Sequence, residues 1–194
     1  MPTLSRTAAI IAGGRARRLG GRDKTQLVIG GRPMIARQVE LLAGLADEVL
    51  LVGEHPGRTD TGGVTAHPDR ITGLGPIGGL YTALEVARGD LVLVVACDLP
   101  FLEAALLDRL FTLAESADAS WVHTDRGIEP LLACYQRRLR RQVRAAIDAG
   151  RLKLADLAAE LTVAEIDETE LARFGDPARL LANVNTPDDY ERIQ

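Results

Sequence analysis

The chain has 194 residues, 46% of them hydrophobic, enough to bury one substantial core at a length usual for a single domain. Its 23 basic and 27 acidic residues leave a net charge of -4, which weighs against a general nucleic-acid binder, so any cationic site must be local. Cys97 and Cys134 have no C-x-x-C spacing, and the apolar runs at residues 7–12 and 91–96 are far too short to span a bilayer; a reducing cytoplasm without membrane anchoring is the expectation.

Ala8, Ala9, Ile10, Ile11 and Ala12 form a short apolar run closed by glycines, as a strand buried on both faces of a parallel sheet requires. It leads straight into a loop holding Gly13, Gly14, Gly20 and Gly21 together with Arg15, Arg17, Arg18, Arg22 and Lys24. Glycines let backbone N–H groups approach phosphate oxygens, and lysine or arginine neutralises charge on leaving phosphates. The segment has neither the Gly-Lys-Ser/Thr ending of a P-loop nor the G-x-G-x-x-G dinucleotide fingerprint. A surface loop of solvated arginines is the plain alternative, but a position between a buried strand and a helix is where α/β folds bind anions.

After Pro33, the apolar residues Ile35, Val39 and Leu42 recur at helical spacing, with Gly44 as a stop. Residues 49–52 read as a second buried strand, and the stretch with Gly53, Pro56, Gly57, Gly62 and Gly63 as irregular. Asp69 then precedes a second glycine-rich stretch, from Gly73 through Gly75 to Gly79, that opens a helix carrying Leu80, Ala83, Leu84 and Ala87. A helix N-terminus there could receive an anion or a base edge; ordinary turn chemistry explains the same glycines equally well.

Residues 91–96 are the clearest strand, and Asp98 follows it at the edge of the sheet where ligands bind. One or two carboxylates plus substrate phosphates suffice to hold Mg²⁺; the other reading is a turn-forming aspartate near proline. A helix over residues 103–114 completes an alternation that predicts an α/β fold, a mainly parallel sheet with helices on both faces. Beyond residue 118 the pattern loosens: strands at 119–123 and 131–135, a helix at 137–149, and an antiparallel strand somewhere among them. One domain over residues 1–194 is expected, with about 1–118 binding nucleotide and about 119–194 elaborating the acceptor side. Arg137, Arg138, Arg140, Arg141 and Arg144 fit a solvated helix face, or a surface meeting an acidic partner. In the closing segment from Asn183 to Asp189, Thr186 and Pro187 suit the N-cap and first position of a helix. His55, His67 and His123 have no metal-ligand spacing, and no nucleophile motif is present.

At these residues the sequence resembles the molybdenum cofactor guanylyltransferases, the MobA family. The family opens with an apolar strand, then A-G-G, three variable residues, R-M-G-G, one residue and D-K. Here that is Ala12-Gly13-Gly14, Arg18-Leu19-Gly20-Gly21 and Asp23-Lys24, with Leu19 for methionine as a volume-conserving departure. Gly75-Pro76-Ile77-Gly78-Gly79, Cys97-Asp98-Leu99-Pro100 and Asn183-Val184-Asn185-Thr186-Pro187 continue the likeness in order along nearly the whole chain.

The resemblance implies a Rossmann-like nucleotidyltransferase fold and the transfer of GMP from GTP to the terminal phosphate of molybdopterin or molybdenum cofactor, with release of pyrophosphate. By position, Ile11, Ala12, Gly13, Gly14, Gly21, Lys24, Asp69, Gly75, Gly79 and Asp98 would contact the nucleotide. Lys24, Arg18 and Asp98 would be the catalytic set, with Asp98 on Mg²⁺, and Asn183 and Asn185 would face the pterin or assist the metal. Cofactor-biosynthesis proteins and apo-molybdoenzymes are the implied protein partners. The alternatives are cytidylyl transfer to molybdopterin, nucleotidyl transfer to a sugar or alditol phosphate, and a non-catalytic nucleotide-binding regulator. In the resembling families a double glycine after the alanine goes with guanine, which favours GTP.

Overall fold

The computed structural model describes residues 3–12, 18–19, 22–23, 27–53 and 64–192. In chain order, β1 (Arg6–Ile11) is followed by two short ribbons, β2 (Arg18–Leu19) with β3 (Arg22–Asp23) and β4 (Val28–Ile29) with β5 (Arg32–Pro33). Helix α1 (Met34–Ala43), β6 (Glu48–Val52), β7 (Thr65–His67), α2 (Pro76–Val86), β8 (Leu91–Ala96) and α3 (Ala104–Ala114) continue the alternation. The last third holds β9 (Ala119–Thr124), β10 (Gly127–Gln136), a 3₁₀ turn Arg137–Leu139, α4 (Arg140–Asp148), a 3₁₀ segment Leu154–Glu160, β11 (Val163–Ile166) and the short helices α5 (Glu168–Leu171), α6 (Pro177–Leu180) and α7 (Pro187–Arg192).

Seven strands form one sheet in the order β11-β9-β10-β8-β1-β6-β7. All run parallel except β10, which is antiparallel to both β8 and β9. This is the antiparallel strand expected past residue 118, and it begins earlier than the sequence suggested. Thr65–His67 and Val163–Ile166 were not anticipated: both lie at sheet edges and lack the continuous apolar run of a strand covered on both faces.

The central strands have that run because both faces are packed. Ala8, Ile10, Leu91, Leu93 and Val95 face a layer formed by Ile35, Val39 and Leu42 of α1 and Leu106, Leu110 and Phe111 of α3. Ala9, Ile11, Val92 and Val94 face Ile77, Leu80 and Leu84 of α2 and Val143 and Ala146 of α4. The first two helices, α1 and α2, thus cover opposite faces. From β1 the chain steps outward to β6 and β7, then returns past β1 to β8, and right-handed crossovers in opposite directions place their helices on opposite sides. The reversal leaves a crevice beyond the carboxyl ends of β1 and β8, where open α/β sheets bind ligands.

At the other end of the strands, carboxylates pin the chain. Asp90 accepts from the Ser5 hydroxyl at 2.7 Å and the Ser5 amide at 3.1 Å, and these two bonds hold its pKa below the ordinary 3.8. Asp118 is lowered chiefly by the Thr162 amide, 2.8 Å away, with Arg138 adding to it. Burial works against ionisation of Glu48, yet the Arg88 amide, the Thr7 hydroxyl and the Arg88 guanidinium prevail and lower it too. A carboxyl group whose pKa is depressed by folding contributes stability above its unfolded pKa and loses it as pH falls through the folded value. The melting temperature is therefore expected to stay level down to about pH 5 and to fall between there and about pH 3. A melting temperature unchanged over that interval would show that these bonds do not hold the strand starts.

Candidate active site

The floor of the crevice is built by extending the strand ends. Ile11 stands opposite both Val52 and Ala96, and Val52 opposite His67. The ladder continues past the strands: the Ala12 amide donates to Val52 O at 2.8 Å, the Cys97 amide to Ile11 O at 3.1 Å and the Gly53 amide to His67 O at 3.0 Å. Ile11 and Ala12 are both buried, so they form the floor while the loop that follows leaves from it. Gly13, Gly14, Gly21 and Lys24 lie outside the described residues, and Arg18 is described only as a backbone paired with Asp23 in the β2–β3 ribbon.

Asp98 sits in a tight turn at the end of β8. The Leu99 amide folds back toward Ala96 O at 3.4 Å, and the side chain of Gln38 in α1 donates from Nε2 to both Ala96 O, at 3.0 Å, and Leu99 O, at 2.9 Å. From the other side, the Val184 amide donates to Asp98 O at 3.0 Å, so Asn183 and Asn185 flank a backbone bond to Asp98. The structure therefore unites two motifs that lie more than eighty positions apart in the sequence.

The segment with the two asparagines is itself fixed. Asp189 accepts from the amides of Asn185 and Thr186 at 3.0 and 2.8 Å, while the Asp189 amide donates to the Thr186 hydroxyl at 3.1 Å, a reciprocal cap on α7. Tyr190 then donates its hydroxyl to Val28 O at 2.7 Å, and Leu27 packs with Val184 and Tyr190. The return of the glycine loop at Leu27 is thereby tied to the Asn183–Asn185 segment, and both ends of the loop meet the crevice.

The second glycine stretch divides into two roles. Gly75 caps α2 at φ +67° and ψ −145°, a region open essentially to glycine, and is exposed at the crevice rim. Gly79 is buried, and a Cβ there would lie 2.8 Å from Ile11 Cγ2, so its absence of a side chain lets α2 close on the end of β1. Asp69 is half-buried beside α2, where the neighbouring Arg70 amide donates to the Thr82 hydroxyl at 2.9 Å, itself bonded to Gly78 O.

Residues 8–164 match the model of the MobA-like NTP transferase domain. Over 190 residues the chain is 33% identical to a molybdenum cofactor guanylyltransferase of Shewanella sp. (strain ANA-3), spanning 96% of this chain and 93% of that protein. The chain belongs to the molybdenum cofactor guanylyltransferase family. A probable member from Carboxydothermus hydrogenoformans is 34% identical over 96% of the chain and 94% of its own length. Among solved structures, molybdopterin-guanine dinucleotide biosynthesis protein A from Archaeoglobus fulgidus superposes with a TM-score of 0.78 at 26% identity, covering 96% of each chain. The 2-C-methyl-D-erythritol 4-phosphate cytidylyltransferase of Thermus thermophilus, at 19% identity and a TM-score of 0.69 over 95% of each chain, shares the fold.

Within this guanylyltransferase frame, the structure adds a residue that motif reading passed over. Glu129 lies on β10, the antiparallel neighbour of β8, beside an irregularity of register between Glu129 and Ala133. Burial raises its pKa, the negative charge of Asp98 raises it further, and Arg126 opposes both. The Asp98 charge reaches Glu129 because β10 runs antiparallel beside β8, which brings the start of β10 toward the carboxyl end of β8. No sequence signal marked Glu129, a lone acid before Pro130, because its proximity to Asp98 depends on strand register. Asp98 and Glu129 are hard oxygen donors, and a pair of carboxylates completed by substrate phosphates suits Mg²⁺ without a third acidic ligand.

The arginines of the predicted helix belong elsewhere. Arg137, Arg138, Arg140 and Arg141 line a concavity of about 400 Å³ with Leu4 and Asp90, at the strand starts and so at the opposite end of the sheet from Asp98. Arg138 pairs with Asp118 at 2.5 Å, and Arg144 with Asp148 at 2.9 Å, in keeping with a solvated face.

Proposed function

We infer that this chain transfers GMP from GTP to the terminal phosphate of molybdopterin, releasing pyrophosphate. The observation that carries the reading is the junction of Asp98 with the Asn183–Asn185 segment over the switch-point crevice, at the point where the glycine loop departs from Ala12. The family membership supplies the nucleotide and the acceptor.

In this reading the backbone amides of Gly13, Gly14 and Gly21 cradle the triphosphate, with Arg18 and Lys24 against the leaving phosphates. Asp69 and the rim at Gly75 face the nucleoside, and Gly79 serves the site by letting α2 approach Ile11. Asn183 and Asn185 orient the acceptor. An oxygen of the acceptor phosphate attacks the α-phosphorus of GTP; the new P–O bond forms as the bond to the β-phosphate's bridging oxygen breaks, and pyrophosphate leaves with that electron pair. A phosphate monoester is already ionised near neutral pH, so positioning and charge neutralisation carry the reaction without a dedicated base. Asp98, with Glu129 on the neighbouring strand, would hold Mg²⁺, whose charge would withdraw electron density from the α-phosphate and stabilise the leaving pyrophosphate.

The acceptor is a soluble phosphate ester, and a cytoplasmic location fits it; among the described residues no helix is long and apolar enough to cross a membrane. Thermal-shift titration with the Mg²⁺ salts of GTP, CTP, ATP and UTP tests the nucleotide. A ligand that binds the native state raises the melting temperature in proportion to the logarithm of its saturation, so GTP is expected to give the largest rise. An equal or greater rise with CTP would overturn the guanylyl assignment. Pyrophosphate release with molybdopterin as acceptor then tests the reaction itself.

A further inference from the structure

Helix α1 buries Met34, Ile35, Gln38, Val39 and Leu42, and Gln38 is the polar member of that set, 3% exposed on a face that otherwise needs only apolar side chains. An amide in such a place costs free energy unless its hydrogen-bonding groups are used. Its Nε2 is used twice, toward Ala96 O at 3.0 Å and Leu99 O at 2.9 Å, the two carbonyls that open and close the turn carrying Asp98. Its Oε1 is closed off from solvent and finds no hydrogen-bond donor among the described residues. The orientation is nonetheless fixed, because a flipped amide would set Oε1 against two carbonyl oxygens. Among the described residues its acceptor goes without a partner while both donors hold the turn.

Packing and hydrogen bonding divide the task. Leu99 is buried in the same apolar cluster as Ile35, Val39 and Leu42 of α1, which seats the side chains of the turn, while its backbone carbonyls are held on the α1 side by Gln38 and on the far side by the Val184 amide on Asp98 O.

We propose that Gln38 is a positioning residue of the transfer reaction, clamping the Ala96–Leu99 turn from behind so that the Asp98 carboxylate is presented at the geometry the metal-bound triphosphate requires. The proposal rests on the reading of Asp98 as the metal carboxylate. It also gives α1 a part in the site that none of the glycine, aspartate or asparagine motifs contains.

The test is calorimetric titration of GTP onto the full chain with and without Mg²⁺, on wild type, Gln38→Met, Gln38→Glu and Asp98→Asn, together with melting temperatures. Gln38→Met keeps the volume in an apolar setting and removes both donors; Gln38→Glu keeps the shape and, when ionised, has no donor. Both are expected to bind metal-free GTP as the wild type does, while the gain in affinity on adding Mg²⁺ falls by about tenfold, the usual size of an outer-shell effect on metal binding. In turnover, the Mg²⁺ concentration for half-maximal rate should rise with the KM for acceptor unchanged. An undiminished Mg²⁺-dependent gain in Gln38→Met, with that gain lost in Asp98→Asn, would overturn the clamp alone. A gain retained in Asp98→Asn would overturn the metal reading and the clamp with it. Loss of metal-free GTP affinity in step with a lower melting temperature would show Gln38 to be a general packing residue, and would also overturn the proposal.

Discussion

Asp98→Asn is expected to lower pyrophosphate release by about 1,000-fold, the effect of removing roughly 4 kcal/mol of transition-state stabilisation supplied through a metal carboxylate. The substitution is nearly isosteric and spares what holds the turn: the Cys97 amide on Ile11 O, the Val184 amide on Asp98 O and the Gln38 amide on Ala96 O and Leu99 O are all backbone-directed. The fold should therefore survive. Removing the charge also relieves Glu129, whose pKa is raised by burial and by the Asp98 carboxylate, so the melting temperature of the metal-free protein should be unchanged or slightly higher. A lost activity with an intact or strengthened fold is the signature of a group kept for chemistry at the expense of stability. Turnover within about tenfold of wild type would remove Asp98 from the metal role.

The parts of this site that were legible in the sequence are those whose chemistry is carried by neighbours along the chain. The apolar run ending at Ile11 and Ala12 needed no partner to be read as a strand covered on both faces, nor did Leu91–Ala96, and each delivers its motif at its own carboxyl end. Thr186 could be assigned to a helix cap because its bond to the Asp189 amide spans three residues. Gln38 and Glu129 were illegible for the opposite reason. Gln38 reads as one more polar residue in an amphipathic helix until α1 is docked beneath the end of β8, and Glu129 comes under the Asp98 charge only through the antiparallel course of β10 beside β8. Gly75 and Gly79 look alike in one glycine-rich run, yet one is required by a positive φ and the other by contact with Ile11. Composition can say that glycine is needed there; only the packing says which constraint each satisfies.

Whether the two parts of the chain are one folding unit can be read from Trp121. It lies on β9, 1% exposed, and its indole Nε1 donates to Glu165 at 3.0 Å across to β11. The same apolar cluster contains Ile11, Leu80 and Val94 from before residue 118 and Tyr135, Leu154 and Leu157 from beyond it; the opposite cluster joins Leu93 and Phe111 to Val122, Leu132 and Ile166 in the same way. A core shared across the sheet predicts one cooperative transition rather than two. Trp121→Ala should cost about 3–5 kcal/mol through lost burial and an unfilled cavity, and for a chain of this length lower the melting temperature by about 10 °C. Because Glu129 on β10 hangs from β9 by the same ladder, GTP should raise that one lowered transition as a whole rather than act on a separately melting half. Calorimetry of the variant should show the single transition moved as a whole. Two transitions, with the lower alone displaced and the upper still raised by GTP, would instead divide the chain near residue 118 and make the nucleotide-binding part a domain that folds by itself.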